Sequence, residues 1–361
     1  MPLRELNATA ANFRGTLTSG KWTLCIGAGV SRGIVPTWDE LTRRLVNDTF
    51  STSFKVDEFK KECGEVGWSL DSWIQACANH FLLTKRTLGD FYELIETHLY
   101  SELRAKARKH RIEDTLLAVL DKPHTCSRRD VSAVCSFFES EYADTSLISV
   151  AKSLLLASSK GRLPDAVISF NADTLLHTLI DLYQRRDHYA GPPPHGHPAF
   201  AFKTVLRPIE TTSRDVVPIY HCHGAIKPRA SRAKKAPLDS RDRLVFLESE
   251  YIRVATTSSS WAETLFMFHA QTTRMLCIGF SMSDPNMRRW LALSNLSAIQ
   301  DVSAFAKTTE ITPRHIWVTT SPALASHKAI RNESLVHLGV RPGWINGWAD
   351  VPAMFKNLLS L

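Results

Sequence analysis

Short apolar runs that break abruptly into glycine or a small polar residue punctuate this chain. Trp22 to Ile26 is apolar and then gives way to Gly27, as a buried strand feeding a turn does. The same signal predicts strands at Ala166 to Phe170, Val216 to Tyr220, Arg243 to Leu247, Arg274 to Ile278 and His315 to Thr319, with a last one near Val340. Helical spacing predicts helices at Asp173 to Tyr183, Trp261 to Gln271 and Val351 to Leu359, and a further one opened by Ser283-Asp284-Pro285-Asn286 and running to Leu291. Alternation of this kind predicts an α/β fold, a mostly parallel sheet with helices on both faces.

Between the first two predicted strands, residues 50–163 read as helix and form a large insertion. No glycine or proline occurs between Asp90 and Lys122, and Phe91, Leu94, Ile95, Leu99 and Leu103 recur at helical spacing, which predicts one helix packing one stripe. Further helices are predicted over Asp130 to Glu141 and Leu147 to Ala157. Just before the insertion, Thr37 and Glu40 have the spacing of a capping box at the start of a helix that runs to about Asn47.

Composition narrows the class. The 361 residues are 44% hydrophobic and 22% charged, which excludes a disordered chain and a disulfide scaffold. Met1 to Gly20 lacks the apolar core of a secretory signal, and no stretch approaches the roughly 18 apolar residues of a membrane span, so the expected compartment is the cytoplasm. The seven cysteines are scattered and never spaced Cys-x-x-Cys, which argues against a zinc knuckle. The net charge of +8 is concentrated partly in residues 227–243, where Lys227, Arg229, Arg232, Lys234, Lys235, Arg241 and Arg243 face only Asp239 and Asp242. That loop is either a solvated surface or a docking site for an acidic partner or nucleic acid, although no aromatics interleave to stack bases. The proline-rich stretch Gly191 to Pro198 is a surface connection or a lid.

Four segments at predicted strand ends carry the candidate chemistry. Gly27-Ala28-Gly29-Val30-Ser31 brings backbone close to a ligand as a nucleotide turn does, because a side chain at either glycine would block the approach. It lacks the rest of a dehydrogenase fingerprint: Asp48 has the right distance but ends a predicted helix instead of a second strand. Asn171 follows the second strand, where its amide can both donate and accept, while Asp173 either serves the ligand or caps the following helix. His223 ends the next strand beside Gly224 and is placed for proton transfer near neutral pH, with His221, two residues earlier, as the competitor. In Gly279-Phe280-Ser281-Met282-Ser283-Asp284, Ser281 can bind a phosphate or ribose and Asp284 is a cap or a ligand for the adenosine half.

In this order the four segments resemble the sirtuin superfamily, and within it the bacterial defence-associated sirtuin-like proteins. The family's Gly-Ala-Gly-x-Ser turn followed by Pro-x-Trp is met by Gly27 to Ser31 and Pro36-Thr37-Trp38; its Thr-x-Asn-x-Asp by Ser169, Asn171 and Asp173; its histidine-glycine pair by His223-Gly224. Gly279, Ser281, Asp284 and Pro285 meet Gly-x-Ser-x-x-Asp-Pro. Ser169 stands for the usual threonine and Ala172 for a larger apolar residue. Protein-deacylating sirtuins carry two Cys-x-x-Cys pairs after the histidine, whereas here that interval holds the basic loop and no cysteine before Cys277.

The resemblance implies a Rossmann-like sheet in a sirtuin-like catalytic domain spanning residues 1–361, with residues 50–163 inserted and no zinc module. It implies an NAD glycohydrolase that releases nicotinamide and ADP-ribose and depletes NAD during phage infection, with NAD as substrate and no metal. In this pattern Gly27, Ala28, Gly29, Ser31, Trp38, Gly279, Ser281 and Asp284 bind the dinucleotide. Asn171 orients ribose and water, His223 acts as base and Asp173 holds the carboxamide. Family precedent implies a homo-oligomer controlled by a partner such as a HerA-like ATPase or a short Argonaute. The alternatives are an NAD-dependent deacylase and a non-catalytic sensor of NAD or ADP-ribose.

Overall fold

The computed structural model describes residues 21–188, 201–206, 210, 216–229, 244–256, 260–306 and 313–359. The proline-rich stretch, residues 1–20 and most of the basic loop lie outside the described residues. Seven strands form one parallel sheet in the order β3-β4-β2-β1-β5-β6-β7: β1 Trp22–Ile26, β2 Ala166–Ser169, β3 Phe202–Val205, β4 Val217–His221, β5 Arg274–Ile278, β6 His315–Thr320 and β7 Val340–Ile345. From β1 the chain passes to β2 and on to β3 at the sheet edge, returns to β4 between them, and then crosses to β5 on the other side of β1. The direction of winding therefore reverses at β1, and a crevice opens beyond the carboxyl ends of β2, β1 and β5, the ligand position in open α/β sheets.

Alternate residues along each strand feed two separate cores, as the two-residue period of a strand requires. Leu24, Val167, Ile219, Leu276 and Ile316 point into one, and Cys25, Ile168, Met275, Cys277 and Trp317 into the other. The first core is shared with the helices of the insertion and with the helices Leu175–His188 and Val351–Leu359. The second belongs mainly to two helices after β4. Helices on both faces follow.

The insertion comprises α2 Val56–Val66, α3 Leu70–Leu83, α4 Leu88–Leu99, α5 Ser101–Lys109, α6 Glu113–Asp121, α7 Arg128–Glu141 and α8 Ser146–Ser159, preceded by α1 Trp38–Phe50. After it come α9 Leu175–His188, α10 Glu248–Thr256, α11 Trp261–Thr272, α12 Pro285–Ala306, α13 Ala325–Glu333 and α14 Val351–Leu359. Phe59, Ile74, Phe91 and Phe138 of the insertion are buried in the same core as Leu24 and Val167 of the sheet, so the insertion is packed onto the fold by continuous apolar contact.

Several expectations are corrected. The single helix predicted between Asp90 and Lys122 is three helices, broken at Tyr100 and again at Arg111, whose backbone is left-handed (φ 58). No helix breaker marks either point; Tyr100 is fully buried and its hydroxyl donates to Ile226 O across the fold. The strand predicted at Arg243 to Leu247 is irregular over residues 244–247 before α10 begins. There the Glu250 carboxylate takes the amides of Phe246 (2.9 Å) and Leu247 (3.1 Å), leaving them unavailable to a neighbouring strand. The four-residue strand β3 was not foreseen, because Lys203 and Thr204 interrupt its apolar pattern at the sheet edge. Thr37 makes no side-chain cap; Glu40 instead binds Arg43 and Arg44. Helix α12 runs well past Leu291, to Ala306. Among the described residues, no helix is long and apolar enough to cross a membrane.

Candidate functional site

The crevice holds a cavity of about 810 Å³. Its floor is made where the two glycine turns meet. Gly27 N donates to Ile278 O (2.9 Å) and Gly29 N to Gly279 O (3.0 Å), so the turn after β1 is laced directly to the turn after β5. A Cβ on Gly27 would lie 2.6 Å from Gly279 O, one on Gly29 2.8 Å from it, and one on Gly279 2.6 Å from Val30 N. Gly279 also has φ +77. The glycines are thus required by each other before any ligand arrives, and the amides of Gly27 and Gly29 are already spent on this joint. Gly27, Ala28 and Gly279 line the cavity; Ser31 is fully buried and Gly29 is exposed outside the lining.

Asn171 is 1% exposed and sits beneath the cavity wall instead of lining it. Its Nδ2 donates to Ser31 Oγ (3.2 Å) and Asp173 Oδ2 (3.4 Å), and its backbone amide donates to Ser169 Oγ (3.2 Å). The carbonyl Oδ1 is buried without a partner. Asp173 lines the cavity and also accepts Leu175 N at Oδ1 (2.9 Å), so it serves the start of α9 while facing the ligand space. Burial pushes its carboxyl up, opposed by the Leu175 amide and by Ser31 and Asn171.

Beyond β4 the chain turns sharply, with Gly224 N donating to His221 O (3.1 Å) and Gly224 in the left-handed region (φ 71). That turn separates the two histidines. His221, the last residue of β4, points away from the cavity and its Nε2 lies 3.1 Å from Nδ1 of His177 on α9. His223 enters the cavity edge-on between Phe170 (centroids 4.8 Å apart) and Tyr251 (5.6 Å). Its Nε2 is buried with no partner. Desolvation pulls its pKa down to about 4, against the pull of the Asp284 carboxylate, and the imidazole is neutral at physiological pH.

The third turn contributes Ser281, which lines the cavity and bonds Ser283 through their hydroxyls. Asp284 lines it too, while its Oδ1 accepts Met287 N (2.9 Å) and caps α12. Trp38 closes the far wall, packed against Phe246 (centroids 5.0 Å).

The structure adds three residues that the sequence reading missed. Tyr251 on α10 packs edge-to-face with His223. Asp71, at the start of α3, brings an insertion carboxyl to the cavity, where burial first and the Asp284 carboxylate second raise its pKa to about 6. Tyr100, from the break between α4 and α5, donates to Ile226 O (2.5 Å) and accepts Thr174 N (3.3 Å), tying together the Asn171 and His223 turns from behind. Nothing in the local sequence of these three marks them, since each acts through a contact across the fold.

Among the described residues no group of three or more His, Cys, Asp or Glu is arranged to hold a metal ion, and all seven cysteines are free. Residues 165–342, just under half of the chain, match the model of a family described as the SIR2-like domain. The match takes in the Asn171, His223 and Gly279 turns and begins after the insertion. No curated protein matches the chain.

Proposed function

We propose that the chain is an NAD glycohydrolase, a reading that starts from its SIR2-like domain and the NAD chemistry such domains perform. The observation that carries it is the neutral, unpartnered Nε2 of His223 buried at the wall of a dinucleotide-sized cavity over the glycine turns. In the reaction the bond between the ribose C1′ and the nicotinamide nitrogen breaks, its electron pair leaving with nicotinamide. A water oxygen bonds C1′, and the water's surplus proton passes through His223 to solvent. A basicity as low as that of His223 suits an acceptor that orients a ribose hydroxyl or the water better than a strong base. The transition state has oxocarbenium character, so carboxylates and oriented dipoles supply most of the acceleration.

Asn171 takes a narrower role in this scheme. Its Nδ2 is committed to Ser31 and Asp173, so its free Oδ1 is the group left to accept from a ribose hydroxyl or water as the wall adjusts around the ligand. Ser281, whose hydroxyl lines the cavity, is placed to meet the phosphates, since the Asp284 carboxylate already occupies the start of α12. The larger biological reading, an NAD-depleting effector of anti-phage defence, rests on the family resemblance. So does control by self-assembly or by a partner such as a HerA-like ATPase or a short Argonaute.

The test is nicotinamide release from NAD by the purified chain, alone and with co-purifying partners. His223→Ala and Asn171→Ala should each lower the rate by about 10²–10⁴. Equal rates for wild type and both variants under every condition would sink the assignment, and loss of acyl groups from lysine peptides in step with NAD use would replace it with deacylation.

A further inference from the structure

Behind the cavity lies a pair of polar side chains that no step of the reaction uses. His221, 3% exposed at the end of β4, meets His177 on the first turn of α9, with Nε2 of the first 3.1 Å from Nδ1 of the second and the two rings edge to face. Burial keeps both imidazoles neutral, taking His177 well below its ordinary value and His221 to about 4. A neutral imidazole has one N–H and one bare nitrogen, so the contact has a direction. At His221 burial is opposed by the Asn171 backbone. A backbone group that favours the charged imidazole is an acceptor, hence the Asn171 carbonyl, and the ring nitrogen left to face it is Nδ1, which bonds nothing else. With the His221 proton on Nδ1, its Nε2 is bare and His177 Nδ1 is the donor.

The pair lies where the two reacting turns run side by side. The ladder between β2 and β4 holds at Cys222 N to Ser169 O (3.1 Å) and again at Ile226 N to Ala172 O (2.7 Å), and Asn171 and His223 stand on the stretches between these bonds. Tyr100 braces those stretches from the insertion, through Ile226 O and Thr174 N. The imidazole pair braces them again, joining the end of β4, two residues before His223, to the helix whose start Asp173 caps at Leu175 N (2.9 Å). Two apolar side chains would fill the same space without a desolvation cost, but they would not select one arrangement as a directional polar pair does. We propose that His177 and His221 are positioning residues that hold the Asn171 and His223 turns at their working separation, with His177 Nδ1 donating to His221 Nε2 and His221 Nδ1 facing the Asn171 carbonyl. This inference deepens the NAD-hydrolase reading and rests on it for the reaction that is measured. The histidine that competes with His223 in the sequence thus serves the same site without touching the ligand.

The experiment follows nicotinamide release by the full chain and, by NMR, the ring-nitrogen resonances of its labelled histidines. His177→Phe and His221→Phe keep a ring in the space and remove the bond; each should lower kcat by about 10- to 100-fold with KM moving less than about threefold, because a displacement of about 1 Å at a reacting group costs that much. The double variant should lose no more than either single one, since the same brace is removed once. His177→Asn, whose Nδ2 reproduces the Nδ1 donor, should recover most of the rate. In the wild-type spectrum both rings should carry their proton on Nδ1, and His177→Phe should shift the His223 resonances, assigned from His223→Ala, although the two rings do not touch. Full kcat in both Phe variants overturns the proposal, as does a proton on Nε2 of His221 or a rate that His177→Asn fails to recover. If wild type releases no nicotinamide, the hydrolase reading fails, and the tautomers and the His223 shift decide the brace by themselves. Should a Phe variant not fold, His177→Asn and the wild-type tautomers decide it.

Discussion

The sheet edge and the helical insertion differ in how they serve the cavity. At the sheet edge the residues are tied to one another, Asn171 Nδ2 to Ser31 and Asp173, Asp173 to α9, Gly29 to Gly279, which leaves Asn171 Oδ1 and His223 Nε2 as the unpartnered groups. The insertion touches the cavity mostly by holding something else in place. Ser72 grips Glu248, Gln75 Oε1 accepts Ser249 N (3.1 Å), Tyr92 donates to Glu250 (3.2 Å), and Tyr100 reaches Ile226. Three of these four contacts fall on residues 248–250, at the start of the helix that carries Tyr251 against His223. One region thus holds the reacting groups in a rigid frame, and the other decides how tightly the cover sits over them. An insertion that positions a cover is a natural place for control, because loosening it leaves the reacting groups untouched.

The comparison breaks most visibly at the frame. Gly279→Ala puts a Cβ 2.6 Å from Val30 N at a left-handed residue; it should cost about 2–4 kcal/mol and lower the melting temperature by several degrees, measured by calorimetry. A variant as stable as wild type would mean that the two turns are not interlocked. At the junction of the two regions, Tyr100→Phe leaves Ile226 O without its buried donor and should cost about 1–3 kcal/mol. If the insertion acts by positioning, nicotinamide release should fall further than the lost stability explains at a temperature where the variant is folded.

A pH titration of stability makes the smallest and most diffuse change. His221 and His223 are held near 4, and His315 near 3, by burial, all below the ordinary value of 6.5. Because these folded-state values are depressed, the unfolded chain takes up protons first as pH falls. Stability should therefore be level above about 6.5 and decline progressively between there and about 3. Urea unfolding at pH 7.5 and 5 checks this, and a midpoint that rises on acidification contradicts it. His223→Ala should flatten the decline slightly, since one of the contributing imidazoles is gone.

Legibility in the sequence followed the same division. The strands that feed the site break into glycine or a small polar residue, a signal carried by covalent geometry and so visible locally. A mostly parallel sheet with helices on both faces follows from it, whereas the strand order, with β4 inserted between β2 and β3, does not. The choice between His223 and His221 was not legible, because two residues apart on a continuing strand would share a face. It is the turn at Gly224, and the end of β4 at His221, that send them to opposite sides. The segment Arg243 to Leu247 misled for a related reason: Val245 and Phe246 are apolar because they wall a cavity, and burial alone does not distinguish a wall from a strand. Tyr100 and Asp71 lie within sequences that read as ordinary helix, and their meaning exists only where the insertion meets the sheet.

The joint between Gly27, Gly29 and Gly279 has a consequence for how this chain can diverge. Each glycine occupies space that another's backbone requires, so no single replacement at any of the three is neutral and a change at one creates no room for a change at the next. The first turn and the third, though far apart in the chain, are bound to be inherited together. A recombinant that takes residues 165–342 from a relative should fold around this β1 turn only where the donor also keeps glycine at position 279.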